Sequence, residues 1–131
     1  MSGCRKFASF DLEIMKEIPD GCEDWWGDVA PFGISCAAVA LTGGGTTFWH
    51  HPDGLSEELA ANVVGDLMSL YERGFVPLTW NGTAFDFRVL AQESRMYDEC
   101  AELAMNHIDM MVMATFTKGW YVGLQQVCDG M

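Results

Sequence analysis

A short apolar run, Phe7 to Glu13 (FASFDLE), ends on two acids, Asp11 and Glu13, separated by one residue. In a strand, positions i and i+2 share a face, so both carboxylates emerge together where the strand leaves its sheet. From Ile14 to Pro31 acids, Gly and Pro accumulate without either periodicity, which predicts a long loop that Trp25 and Trp26 anchor to the body. Phe32 to Leu41 is nearly continuously apolar and predicts a central strand covered on both faces. Gly43 to Gly45 then turn the chain into an antiparallel strand, TTFWH. From Ser56 to Arg73 Leu59, Val63, Leu67, Leu70 and Tyr71 recur at helical spacing, with Ser56 as N-cap and Gly74 as the left-handed stop. Val76 to Trp80 predicts a fourth strand.

After Asn81-Gly82, Phe85, Val89 and Leu90 return at helical spacing, so strand, tight turn and helix follow one another and Asp86 falls in the helix's first turn. Tyr97 to Met105 predicts a further helix, Asn106 to Ile108 a short strand ending at Asp109, and Met110 to Phe116 and Leu124 to Cys128 more helical pieces. The methionines at 105, 110, 111 and 113 read as core filler. Met131 stands where a last helix would be starting.

Two convergent carboxylates suit a hard divalent cation, which takes oxygen ligands. Asp86 would lie near them if its strand and the first are parallel neighbours, at the sheet edge where open α/β folds bind ligands. Blander readings stand beside this one. Strands leaving into solvent often end on acids, and the helix dipole favours an acid in a first turn without any metal. Asp109 either caps the helix after it or reaches the metal.

Composition narrows the picture. A chain of 131 residues, half of them apolar, fits one soluble domain over residues 1–131. Neither a membrane-length apolar segment nor a secretory signal is present, which predicts a cytoplasmic protein. The five scattered cysteines form no C-x-x-C pair and read as buried reduced thiols. A net charge of -12 excludes an extended basic face for nucleic acid. The triple glycine lacks a following G-K-[ST], which excludes a phosphate-cradling loop.

With Phe10-Asp11-Leu12-Glu13 and the N-x-x-x-F-D of Asn81, Phe85 and Asp86 in hand, the chain resembles the ribonuclease H-like, DEDD-type 3'-5' exonucleases. The resemblance implies an α/β fold with a mixed sheet, antiparallel hairpin strands plus parallel strands, flanked by helices. It also implies hydrolysis by two Mg²⁺ or Mn²⁺ ions about 4 Å apart. Asp11 would bridge both, Glu13 would hold the nucleophile-side ion and Asp86 the second. Leu12, Asn81 and Phe85 would meet the substrate, a single-stranded nucleic acid 3' end or short oligonucleotide. The family's third motif, Y-x-x-x-D or H-x-x-x-x-D, has no match. His107 has Val112 five residues on, and Tyr121 has Gln125 four on. The resemblance therefore predicts a chain cut before its C-terminal helix, with apolar surface left open to self-association. A non-catalytic binding module and a small-nucleotide phosphodiesterase are the competing expectations.

Overall fold

The computed structural model describes residues 3–130. In chain order the elements are β1 (Lys6–Ile14), α1 (Trp25–Asp28), β2 (Ile34–Leu41), β3 (Thr46–His50), α2 (Glu57–Glu72), β4 (Phe75–Thr79), α3 (Asp86–Ser94), α4 (Tyr97–Met105), β5 (Ile108–Asp109), α5 (Met110–Lys118) and α6 (Leu124–Asp129). The strands form one sheet of order β3-β2-β1-β4-β5. β1 runs antiparallel to β2 and parallel to β4, so the sheet is mixed, as expected.

Alternation decides which face of the sheet is covered. β1 buries Ala8, Phe10 and Leu12 and exposes Ser9, Asp11 and Glu13. The buried row meets α2, through Val63, Val64 and Leu67, and α3, where the Phe87 ring stacks on Phe10 at 6.1 Å. α4 adds Cys100 and Leu103 to the same core. Ser56 caps α2 by accepting a hydrogen bond from the Leu59 N–H, and Gly74 follows at φ +89°, the conformation that ends a helix without strain in glycine.

Four expectations change. β2 is an inner strand, paired with β1 and β3, but is covered on one face only, because Ala38 and Ala40 on its outer side are small enough to read as apolar without needing cover. The loop after β1 starts one residue later and contains α1, whose four residues are too few for a periodicity; Asp24 caps it from the Gly27 N–H. The methionines do not fill the core: Met105 is 83% exposed, and Met110 and Met113 are also exposed. Of the cysteines only Cys100 is buried, while Cys4 and Cys128 are exposed. The expected helix start at Met131 lies outside the described residues. Among them no helix is long and apolar enough to cross a membrane.

Candidate functional site

β1 and β4 pair from Lys6 and Phe75 to Ser9 and Leu78, then part. Beyond that point β1 carries a backbone N–H, that of Leu12, past the end of the paired neighbour. A buried N–H needs an acceptor. Asp86, first residue of α3, supplies it: its Oδ1 accepts from Leu12 N at 3.2 Å, a contact spanning 74 residues of chain.

The turn that delivers Asp86 is tightly specified. Asn81 stands at φ +63°, a left-handed conformation that Asn tolerates better than most residues. Its N–H donates to Asp109 Oδ1 at 2.8 Å. The Gly82 N–H donates to Thr79 Oγ1 at 3.0 Å, and a Cβ at Gly82 would overlap the Thr79 side chain, so the close approach requires glycine. Phe85 N–H to Asn81 O and Phe87 N–H to Gly82 O then wind the chain into α3.

Asp86 is only 3% exposed. Burial pushes its carboxyl up from 3.8 to about 7, and the neighbouring Asp11 carboxylate pushes the same way, against the pull of the Leu12 amide. Among the described residues the charge that acts on Asp86 is the Asp11 carboxylate. The protein therefore holds two carboxyl groups against each other at the point where two parallel strands separate.

The remaining predicted residues are placed as follows. Glu13 shares the exposed outer face of β1 with Asp11, and among the described residues Asp11 is the acidic side chain that bears on Asp86. The Leu12 side chain is buried in the core, and its backbone N–H is what reaches the site. Phe85 is half-buried in an aromatic cluster with Trp25, Trp26 and Phe32. Asp109 is a cap: its Oδ1 accepts from Met111 N as well as from Asn81 N. The donor set at the carboxyl pair is oxygen only and anionic, which fits a hard cation. Among the described residues no three His, Cys, Asp or Glu side chains gather closely enough to hold a metal ion.

Three supports were not read from the sequence. The first is the Leu12 amide, whose role depends on where β4 ends. The second is Arg88, whose guanidinium lies 3.8 Å from the centre of the Trp26 ring and fastens the loop to α3. The third is Glu93, which accepts from the Gly33 N–H at 2.9 Å and ties the start of β2 to the same helix. Arg88 and Glu93 follow Asp86 on α3, but sequence spacing gives no sign of partners so far away in the chain.

No protein-family model matches the chain. No curated protein matches it either. Among solved structures it is similar to the family B DNA polymerase from the hyperthermophilic archaeon Pyrobaculum calidifontis, with a TM-score of 0.52 and 15% sequence identity. The match covers 71% of this chain and 11% of the polymerase chain, so this chain spans a small part of that protein's length. At that identity the likeness concerns the fold alone, and it agrees with the mixed α/β sheet flanked by helices described above.

Proposed function

We propose that the chain is the body of a metal-dependent 3'-5' exonuclease, hydrolysing phosphodiester bonds at the 3' end of a single strand or a short oligonucleotide. The observation that supports this most is the Asp11–Asp86 pair, two carboxyl groups set together with no salt bridge to a cation among the described residues. Such a pair is relieved either by a shared proton or by a bound cation. Asp11 and Asp86 would hold Mg²⁺ or Mn²⁺, with Glu13 on the same strand face as the further donor. When bound, the metal would supply an activated water and neutralise the developing phosphate charge. The chain's own part is orientation: the Leu12 amide fixes the Asp86 carboxylate, and the Asn81-Gly82 turn fixes the start of α3. That part of a DNA polymerase shares this fold agrees with a nucleic-acid substrate.

One observation favours a second reading, a non-catalytic binding module: no third ligand joins the pair among the described residues. Release of nucleotides from a labelled single-stranded oligonucleotide in Mn²⁺ separates the two. Release that Asp86→Ala and Asp11→Ala both abolish is the expected result. Absence of release, with Mn²⁺ still raising the melting temperature, would sink the hydrolytic reading in favour of the module.

A further inference from the structure

On the outer face of the sheet, strand register decides which side chains stand together. Directly paired residues on neighbouring strands point to the same side. Asp11, Ala38 and Phe48 therefore form one row, and Glu13, Cys36 and His50 the next. Each row runs from a carboxylate, over a small side chain, to a ring. Ala38 and Cys36 stand between the β1 carboxylates and the β3 rings, which are two inter-strand spacings or about 10 Å apart. Phe48 is 62% exposed, and its ring lies parallel to that of His50, with planes 8° apart and centroids 6.1 Å apart. Two parallel rings at the open side of a sheet offer a flat π surface beside the small side chains of β2.

We propose that Phe48 and His50 are a stacking ledge for unpaired bases, holding the strand whose 3' end reaches Asp11 and Asp86. The inference rests on the hydrolytic reading of that pair and names how its substrate is gripped. Charge narrows the kind of grip. A net charge of -12 leaves little phosphate neutralisation to hold a strand, while stacking on a ring is indifferent to base identity. The rows also give the ledge a direction, because the rings lie in register with the two acids of the D-x-E and not beside an unrelated part of the fold.

The test is fluorescence anisotropy of a labelled single-stranded oligothymidylate with the whole chain in EDTA, where no hydrolysis can occur. Phe48→Ala, at an exposed position, should keep a melting temperature close to wild type and weaken binding about tenfold. Phe48→Tyr, which keeps the ring, should restore it. In Mn²⁺, Phe48→Ala should raise KM for the oligonucleotide more than it lowers kcat. Equal affinity of wild type and Phe48→Ala overturns the ledge, as does failure of the wild type to bind the oligonucleotide. A drop in apparent mass of Phe48→Ala without a change in binding also overturns it, and marks the rings as a contact between copies. The two readings fail separately. Phe48-dependent binding without nucleotide release leaves the ledge standing and removes the hydrolysis; Asp86-dependent release indifferent to Phe48 does the reverse.

Discussion

Asp86 is an acid whose fold favours its proton. The carboxyl titrates near 3.8 in an unfolded chain and at about 7 in the folded one. Between those values the native state carries the extra proton, so the contribution of Asp86 to stability is fullest below about pH 4 and declines as pH rises toward 7. A displacement of roughly three units corresponds to a loss on the order of 4 kcal/mol, at about 1.4 kcal/mol per unit. Asp86→Asn keeps an oxygen for the Leu12 amide and removes the titration. Urea midpoints measured from pH 4 to pH 8 should therefore fall for wild type and stay nearly level for the variant. Mn²⁺ favours the charged form, so at pH 7 it should recover stability in wild type and much less in Asp86→Asn. Equal slopes in the two proteins would show that burial does not hold the proton.

The β4–α3 junction is the element on which the pair depends, and Asp109 shows how it is braced. One carboxylate oxygen caps α5 and also holds the Asn81 N–H. Asp109→Ala should cost about 1–2 kcal/mol by loss of that cap, read from denaturant unfolding. It should leave the Mn²⁺-induced shift in melting temperature intact, since a cap is not a ligand; loss of the shift would place Asp109 at the metal. Elements governed by local rules were legible in the sequence: α2 from its apolar spacing and Ser56, and the Asn81-Gly82 turn from its own chemistry. β2 misled because alanine and cysteine count as apolar wherever they face. α1 was hidden by its shortness, and the link from Leu12 to Asp86 by a separation in sequence that no window spans.

Across the whole molecule, charge and apolar surface act against each other. α5 and α6 contain no buried residue, and around them Phe116 is 90% exposed, with Trp120 and Tyr121 exposed as well. An apolar patch of that kind drives association, while a net charge of -12 keeps copies apart at low salt. Raising NaCl from about 10 mM to 150 mM shortens the screening length from about 30 Å to 8 Å. Apparent mass in sedimentation should therefore rise with salt and concentration, and Phe116→Glu should suppress the rise; a salt-independent monomer would count against it. The exposed Met110, Met113 and Phe116 lie on α5, Trp120 and Tyr121 in the connection after it, and Leu124 at the start of α6. The aromatic cluster around Phe85 has a different consequence. Trp26 lies 6.3 Å from Phe85, the residue next to Asp86, and stacks under Arg88. The protein thus carries its own optical gauge: indole emission should change as Mn²⁺ is titrated in, and replacing Trp25 and Trp26 together by Phe should reduce that change while leaving occupancy readable by melting temperature.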